Sequence, residues 1–386
     1  MRKILYLQTE SILGGAEVSL LSLIKYLDKD QFHPVVVCPK GGDFERALQQ
    51  SGICYRTISS QTIKQAGFWW GKMRLYNPVV LLENAIGTLP ILFELKKIVR
   101  IESIELIHVN TLKGVFYGAL ISWICRIPMI WHMRDYFTWY SPLQKCLFRF
   151  YGFFSTRIIV NSKQAMQYLM KLPLSSSKMV CIYNGVDLSR FERIKPRSKN
   201  RNAPVLGAMG RLVPHKGFHF IIEAMPRILE VFPMATLIIA GEDPTPDHTY
   251  YNDLISRVNR LRLASHVRFE GFVNNPITLY QQIDLFVHTP LNEPFGRVII
   301  EAMAAKVPVV ASNVGGIPEI ITEGLNGMLV PAGNPDSLAE TVITLLQSKD
   351  IQSKLIQNAC QTIQQQFTIQ AHVSQVQHLY FQMLNA

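Results

Sequence analysis

The sequence lacks the patterns that mark several common protein classes. Its six cysteines include no Cys-x-x-Cys pair, which argues against a zinc site or a disulfide framework and suits a reducing cytoplasm. No apolar run reaches the roughly 18 residues of a membrane-spanning helix. The best candidate, Pro78 to Leu92, is interrupted by Glu83, Asn84 and Gly87. Internal repeats of about 20–50 residues are absent too. We therefore expect a globular, cytoplasmic protein.

Charged residues are sparse, at 17% of the chain, and the two signs are unevenly distributed. Residues 1–200 contain 27 Lys and Arg against 13 Asp and Glu, a net +14, whereas residues 201–386 contain 12 against 15, a net −3. Nucleic acid, an anionic membrane surface or a phosphate-bearing substrate would each explain a basic first half. Because the cations are dispersed and no recognised nucleic-acid-binding module is present, we do not expect a nucleic-acid partner.

Short apolar segments of strand length alternate with segments of helix length along the whole chain. They are KILYLQ, HPVVVCP, IELIHVN, PMIWHM and RIIVNS in the first half, and PVLGAMG, ATLIIAG, HVRFEGF, DLFVHTP, VPVVAS and NGMLVP in the second. The N-terminal MRKILYLQTE has too short an apolar segment for a secretory signal and is predicted to be the first strand. Strands that are apolar on both faces are typical of parallel sheets covered by helices. The pattern predicts an α/β protein with two Rossmann-like, doubly wound parallel-sheet domains.

The predicted domains are residues 1–193 and residues 205–366, joined by a polar linker at 194–204 with two prolines. Residues 367–386 are predicted to form a final helix. In open α/β sheets, ligands bind beyond the carboxyl ends of the strands, so two such domains predict a binding site in the cleft that separates them.

A glycine pair follows the first predicted strand. Gly14 and Gly15 end a loop, and Ala16 opens an amphipathic helix, so backbone N–H groups can approach a phosphate there. The pair is not part of a Gly-x-Gly-x-x-Gly motif, which removes the main support for a nicotinamide or flavin cofactor. A tight strand–helix turn without any ligand remains the alternative interpretation.

Histidines and cations follow other predicted strands. His132 and Asp135 lie at a strand end, where a histidine can bind a sugar hydroxyl or stabilise developing charge, but a purely structural histidine is as common. The structural interpretation is stronger for His108. Arg211 and Lys216 lie on one loop after a strand, which suits a diphosphate leaving group, although each residue alone is typical of a solvated surface charge.

Two glutamates flank a predicted helix start in NEPFGRVIIEAMAAK. Pro294 is predicted to be the first helical residue with Glu293 as its cap, and Pro308 limits the helix to roughly Lys306. Glu301 lies eight residues beyond Glu293, about 12 Å along a helix axis.

The N–H groups of Phe295, Gly296 and Arg297 would then be free donors of the first turn. A nucleotide diphosphate-sugar fits this arrangement, with Glu293 on sugar hydroxyls and Glu301 on the ribose. The alternative is that Glu293 only caps the helix and Glu301 is an ordinary helical residue.

Taken together, these motifs resemble those of the retaining glycosyltransferases of family 4, which have the GT-B fold. The resemblance covers nearly the whole chain in the same order. It rests on Gly14-Gly15-Ala16-Glu17, His132, the NSKQ segment, Asn184–Asp187, Gly210-Arg211 with Lys216-Gly217, and Glu293-x7-Glu301 running into PVVASNVGGIPEII.

The resemblance implies a role for each of these groups. Arg211 and Lys216 would hold the donor diphosphate, and Glu293 would contact the donor sugar. Glu301 would bind the ribose, and His132 would line the acceptor side near the anomeric carbon. His132, Arg211, Lys216 and Glu293 are accordingly the expected catalytic residues.

Backbone contacts with the donor are expected from Pro294, Phe295 and Gly296 in one domain and from Gly14 and Gly15 in the other. The family needs no metal ion or other cofactor, because cationic side chains and the helix dipole neutralise the leaving nucleotide diphosphate. Front-face attack, with the leaving phosphate accepting the acceptor's proton, is the mechanism usually inferred. The last helix, around Phe367 to Leu384, would pack back on the first domain.

Two features depart from the family pattern. Lys306 stands where the family usually has a small residue or glycine, and HTPLNEPFG differs from the commoner Pro-Ser start of this loop. The first departure implies that the Lys306 side chain points away from the site or has a local role. The second leaves the donor-sugar contacts open.

The acceptor is inferred from the basic first half. The segment IKQAGFWWGKMRLY mixes Phe68, Trp69 and Trp70 with cations, a composition typical of contact with an anionic membrane surface. We expect peripheral association with the cytoplasmic leaflet and a lipid-linked or saccharide acceptor in polysaccharide or glycolipid synthesis. The segment LQKCLFRFYGFFSTR is similar, but Leu147, Phe148, Tyr151 and Phe154 are at helical spacing, which favours core burial. A catalytically inactive nucleotide-sugar-binding protein on the same fold is the alternative function.

Overall fold

The structure is a computed structural model that describes residues 1–11, 14–59, 67–70, 73–76, 78–134, 142–172, 174–192, 194 and 202–385. It contains two compact units. Unit 1 comprises Met1–Asn161, Met166–Ile182 and Val373–Ala386, and unit 2 comprises Ser162–Ala165 and Tyr183–His372. Residues 195–201 of the predicted linker lie outside the described residues, and the predicted domain limits stay a prediction.

Unit 1 contains a parallel sheet in the order β3-β2-β1-β6-β7-β8-β9. Its strands are β1 Arg2–Leu7, β2 Phe32–Pro39, β3 Tyr55–Ile58, β6 Leu106–Val109, β7 Met129–Met133, β8 Arg157–Val160 and β9 Met179–Cys181. The strands β4 Gly67–Trp70 and β5 Met73–Tyr76 form a separate antiparallel pair. The order reverses between β1 and β6, and such a switch point opens a crevice at the carboxyl ends of the strands.

Unit 2 contains a parallel sheet in the order β12-β11-β10-β13-β14-β15. Its strands are β10 Val205–Met209, β11 Thr236–Ala240, β12 Val267–Gly271, β13 Leu285–His288, β14 Val309–Ser312 and β15 Met328–Val330. The order reverses between β10 and β13, which places the switch point of this unit beside the loops that follow those two strands.

Helices alternate with the strands in both units. They are α1 Gly15–Tyr26, α2 Asp43–Gln50, α3 Pro78–Glu102, α4 Leu112–Cys125, α5 Pro142–Phe154, α6 Lys163–Leu169, α7 Phe218–Val231, α8 Thr249–Arg260, α9 Ile277–Tyr280, α10 Arg297–Ala304, α11 Pro335–Gln347, α12 Lys349–Gln366 and α13 Ile369–Leu384. Residues of α13 from Val373 onward belong to unit 1. The alternation confirms the predicted α/β class with two parallel sheets.

Burial explains why the strands were recognisable in the sequence. Side chains of β13 alternate between two apolar clusters, with Phe286 in one and Leu285 and Val287 in the other, so both faces of this strand are covered. The strand β3 escaped prediction because its sequence, YRTI, is short and carries two exposed side chains, Arg56 and Thr57. Edge strands have one neighbour only and need less apolar sequence.

The structure also bears on the predictions about cysteines, membrane-spanning helices and the apolar segment of α5. None of the six cysteines is joined to another by a disulfide. Among the described residues, no helix has the length and apolar character needed to cross a membrane. In α5, Phe148 and Tyr151 are buried against Trp131 as predicted, whereas Leu147 is exposed.

Candidate functional site

The switch point of unit 2 brings together two loops that the sequence separates widely. The first follows β10 and ends at Gly217, and the second follows β13 from Thr289 onward. Gly217 has φ +69°, and a Cβ atom there would lie 1.9 Å from the Thr289 carbonyl oxygen. The Thr289 hydroxyl also donates to the Gly217 carbonyl at 2.9 Å. Only glycine permits this close approach, which fixes the neighbouring Lys216 against the second loop.

Lys216, His288 and Glu293 meet at this junction. Lys216 Nζ lies 2.7 Å from Glu293 Oε2, and His288 Nε2 lies 2.9 Å from the same oxygen. The side chains are 17%, 5% and 10% exposed respectively, so water screens the charges weakly. Among the described residues, no group is bonded to Glu293 Oε1, which leaves that oxygen for a ligand hydroxyl.

Electrostatics keep Glu293 ionised. Burial raises the pKa of this carboxyl, but the Lys216 ammonium and the His288 hydrogen bond outweigh burial and hold the pKa well below its usual range. Burial lowers the pKa of His288, and its bond to Glu293 opposes that shift only in part. A neutral His288 therefore donates from Nε2 to an ionised carboxylate. Nothing in the sequence singles out His288 beyond its position at the end of a strand.

The predicted start of α10 is wrong. The helix begins at Arg297, and Gly296 precedes it with φ +104°, in the left-handed region. This conformation breaks the helical path, so Pro294 is not the first helical residue and Glu293 does not cap the helix. The eight-residue helical separation assumed for Glu293 and Glu301 therefore does not apply. Glu293 instead lies on a loop, directed at Lys216 and His288.

The glycine pair after β14 supports this loop. A Cβ on Gly315 would lie 2.0 Å from the Glu293 carbonyl oxygen, and one on Gly316 would lie 2.4 Å from the Pro294 carbonyl oxygen. Gly316 N donates to the Glu293 carbonyl at 2.9 Å, and Ser162 Oγ donates to the Pro294 carbonyl at 2.6 Å. The backbone carbonyls of Glu293 and Pro294 are therefore fixed by hydrogen bonds and by close contact with the glycine pair.

Phe295 anchors the same loop in the core. Its side chain is 1% exposed, stacks on Tyr183 with ring centroids 5.9 Å apart, and meets Phe367 edge-on. Only the backbone of Phe295 can therefore face a ligand, which is the type of contact that was predicted for Phe295 and Gly296.

Glu301 lies on α10 and is buried. Arg297 Nη2 donates to Glu301 Oε1 at 2.9 Å, one turn earlier on the helix, and the Tyr280 hydroxyl lies 3.4 Å from Oε2. Burial and the nearby Glu301 carboxylate raise the pKa of Tyr280 well above its usual value, so this hydroxyl stays a donor. Glu301 is therefore a carboxylate with a fixed orientation, and its contact with a ribose stays a prediction.

Arg211 lies on the loop after β10, three residues before the turn formed by Pro214–Lys216, which ends at Gly217. Its side chain is exposed, and no hydrogen bond or ion pair holds its guanidinium within the described part of the chain. The structure thus places a loosely held cation and a firmly held one, Lys216, on a single loop.

In unit 1 the glycine pair opens α1. Gly14 N donates to Glu17 Oε2 at 2.9 Å, and Gln8 donates to Glu17 Oε1 at 2.7 Å. Glu17 is buried, so its carboxylate fixes the loop by satisfying an N–H of the helix start. The Gly14 N–H is directed at Glu17. Contact of Gly14 or Gly15 with a nucleotide diphosphate-sugar stays a prediction.

His132 ends up fully buried on β7, in contact with His108 and Arg134. Asp135, which was paired with His132 in the sequence, lies outside the described residues. Sequence reasoning missed Arg134, whose signal was its position just after a strand. Within the described part of the chain, no three His, Cys, Asp or Glu side chains are grouped closely enough to hold a metal ion.

Comparison with known proteins identifies the family. The model described as Glycosyltransferase Family 4 matches residues 13–190, and the model described as Glycosyl transferases group 1 matches residues 189–362. An uncharacterized glycosyltransferase of Methanocaldococcus jannaschii is 31% identical over 292 residues, which are 70% of this chain and 73% of that protein. Several further relatives match this chain over about half of their own length.

Two relatives match over almost the full length. The Escherichia coli UDP-Gal:alpha-D-GlcNAc-diphosphoundecaprenol alpha-1,3-galactosyltransferase is 23% identical over 99% of this chain and 97% of its own. The crystal structure of Anabaena HepE in complex with UDP-glucose is similar with a TM-score of 0.81 and 26% identity, covering 99% of this chain and 100% of that one. The chain therefore belongs to family 4 of the glycosyltransferases and has the GT-B fold.

Proposed function

We propose that the protein transfers a sugar from a nucleotide diphosphate-sugar to a hydroxyl of a lipid-linked or saccharide acceptor, with retention of the anomeric configuration. The observation that carries this proposal is the buried Glu293 carboxylate, held by Lys216 and His288 through a single oxygen at the switch point of unit 2. A carboxylate that stays ionised accepts hydrogen bonds from sugar hydroxyls through its other oxygen.

The donor diphosphate would be held by cations and backbone donors. The Lys216 ammonium has three donors, and Glu293 occupies one of them in this structure. Arg211 is free to move towards a phosphate, and the first-turn N–H groups of α10 add the positive end of the helix dipole. These groups stabilise the negative charge that develops on the leaving diphosphate, and we propose that this suffices without a metal ion.

The proposed transfer proceeds on one face of the sugar. The bond between the anomeric carbon and the diphosphate oxygen breaks, and its electron pair stays on the diphosphate. The acceptor oxygen forms the new bond on the same face, and its proton passes to the leaving phosphate oxygen. Glu293 would hold the sugar rather than act as a nucleophile, because Lys216 and His288 already engage it on Oε2.

A donor with a uridine nucleotide is favoured by the full-length relatives. The Escherichia coli relative is named for UDP-Gal and a diphosphoundecaprenol acceptor, and HepE was crystallised with UDP-glucose. We propose a donor of this kind and an acceptor in cell-surface glycan synthesis.

Peripheral contact with an anionic membrane would bring such an acceptor within reach. The predicted segment at residues 63–76 lies outside the residues whose side chains are described. Helix α3 offers another surface: Val79, Ile86 and Phe93 are 61%, 57% and 70% exposed, and Lys97 and Arg100 are also exposed. At about 100° per residue, these five side chains lie within about 60° of arc on one helix face.

Flotation with liposomes tests the membrane contact. We expect Phe93→Asp to reduce binding to anionic vesicles, whereas Phe272→Asp, at a residue of unit 2 that is 49% exposed, leaves binding unchanged. Equal binding of both variants, or binding that salt does not weaken, would contradict the proposal.

The function itself is tested by ligand screening followed by turnover. Thermal shifts with UDP, ADP and GDP should single out one nucleotide, because a ligand that binds only the folded state stabilises it. Release of that nucleotide from its sugar conjugate should be lost in Lys216→Ala and Glu293→Ala. Nucleotide binding without any turnover in the wild type would instead favour the catalytically inactive sugar-nucleotide-binding protein.

A further inference from the structure

Four buried side chains of unit 1 form a hydrogen-bonded chain that ends at His132. Tyr6 lies on β1, His108 on β6, His132 on β7 and Tyr380 on α13. The two tyrosine hydroxyls are 3.1 Å apart. The Tyr380 hydroxyl is 2.6 Å from His108 Nδ1, and His108 Nε2 is 3.1 Å from His132 Nδ1. All four side chains are 0% exposed, so each of these polar atoms depends on its neighbour in the chain.

Arg134 determines which atoms donate and which accept along these hydrogen-bonded side chains. A guanidinium carries only donors, and Arg134 Nη2 lies 3.4 Å from His132 Nδ1, so that nitrogen accepts. Arg134 is held in place because Nη1 donates to Ser19 Oγ at 2.8 Å and Nε donates to Asn110 Oδ1 at 3.3 Å. A proton on His132 Nδ1 would face the guanidinium N–H and repel it.

The remaining hydrogen bonds follow from this acceptor. His108 Nε2 must donate to His132 Nδ1, which leaves His108 Nδ1 as an acceptor for the Tyr380 hydroxyl. Tyr380 then accepts from the hydroxyl of Tyr6. A doubly protonated His108 would add a second buried cation to the network that Arg134 already joins, which burial disfavours. Every donor between Tyr6 and His132 therefore points towards His132.

We propose that Tyr380 and His108 are positioning residues that hold His132 as the tautomer with its proton on Nε2. His132 then acts as a hydrogen-bond donor towards an oxygen of the bound sugar, and does not remove a proton from the acceptor. This assignment rests on the proposed role of His132 beside the anomeric carbon. It also gives the C-terminal helix a part in catalysis, because α13 supplies the hydroxyl that sets the His108 tautomer.

The tautomer of His132 is measurable without any substrate. The measurement uses 15N NMR of the full-length protein labelled with 15N-histidine, and His132→Gln identifies the His132 signals. We expect His132 to have a protonated Nε2 and an unprotonated Nδ1. Tyr380→Phe removes the donor to His108 Nδ1 but keeps the aromatic ring, so a second His132 tautomer should appear. Tyr6→Phe is the matched control: the Tyr380 hydroxyl still donates to His108, and the His132 tautomer should not change. A proton on Nδ1 in the wild type, or an unchanged tautomer in Tyr380→Phe, overturns the proposal.

Turnover supplies a second readout with UDP-glucose as the probe. We expect Tyr380→Phe to lower kcat for UDP release about tenfold, less than the loss of a whole oxyanion donor, with KM unchanged within about twofold. Unchanged kcat in Tyr380→Phe would contradict the positioning role. If the wild type neither binds nor hydrolyses any nucleotide-sugar while the His132 tautomer is as stated, the proposed function fails and the assignment of the tautomer stands.

Discussion

Lys216 and Glu293 form an ion pair whose disruption should be far more damaging than its complete replacement. Lys216→Met leaves a buried carboxylate with His288 as its remaining partner, and Glu293→Gln leaves a largely buried ammonium. At 2.7 Å and an effective dielectric constant of about 20, the gross attraction is about 6 kcal/mol before desolvation. Because desolvation offsets most of this, we expect either single variant to lose about 2–4 kcal/mol of unfolding free energy.

The double variant Lys216→Met/Glu293→Gln should lie within about 1 kcal/mol of the wild type, because it leaves no uncompensated charge. The surface pair of Arg227 and Glu340, with its side chains 42% and 62% exposed, provides the control. Arg227→Met should lose no more than about 1 kcal/mol, as exposed ion pairs contribute little.

Hydrogen exchange resolved by peptide is the appropriate assay for these variants. All five tryptophans precede residue 140, so tryptophan fluorescence would not report on unit 2. The reasoning is refuted if the two single losses simply add in the double variant, or if Lys216→Met costs no more than Arg227→Met. Either result would show that the two side chains do not hold each other, and Glu293 would then need another explanation for its ionisation.

Three further predictions concern the same unit. Lys306 has φ +60°, where a side chain is strained and glycine is not, so Lys306→Gly should raise the unfolding free energy measured in urea by about 1 kcal/mol, and Lys306→Ala should not. Gly315→Ala should destabilise by more than about 2 kcal/mol and weaken UDP binding in calorimetry, because its Cβ would meet the Glu293 carbonyl. Gly324→Ala, at φ +70° with nothing within 4 Å, should cost about 1 kcal/mol and leave UDP binding unchanged; equal effects would contradict the steric argument. Finally, the pKa of Glu293 in the folded protein lies below its ordinary value of 4.5. The ionised carboxylate therefore contributes its full stabilisation of the folded state above that pH, and this contribution declines as the pH falls further. Acid titration should therefore lower wild-type stability more steeply than that of Glu293→Gln, and parallel curves would count against this depressed pKa.

The sheets of both units were readable from the sequence because their strands are covered on both faces. A run such as LFVH in β13 is apolar at every position but the last, and that is a local property. The strands β3 and β9 were missed for the converse reason, since a four-residue or three-residue edge strand carries too little apolar sequence to stand out.

The site was only partly predictable. Lys216 and Glu293 were predicted to share a site because charged residues after buried strands are unusual and the family motifs are ordered, and the structure brings these two side chains together. The role of Glu301 stays a prediction. His288 was not found, since nothing in HTPLNEPFG shows that this histidine turns back onto Glu293. Proline at 294 led to the wrong helix start, because its preference for a first helical turn was overridden by the left-handed backbone at Gly296.

Sequence alone determined the α/β class, the family and the order of the motifs, because strand period, glycine placement and charge are local properties of the chain. Tertiary structure decided which atoms meet. The contact between Lys216 and the Glu293 oxygen joins two loops, and the two residues are 77 positions apart in the sequence. The proposed hydrogen-bond donor and acceptor roles at His132 depend on Tyr380, which is 272 positions from its hydrogen-bond partner His108. Contacts of that span follow from how strands and helices pack against one another in the folded units, and no local pattern encodes them.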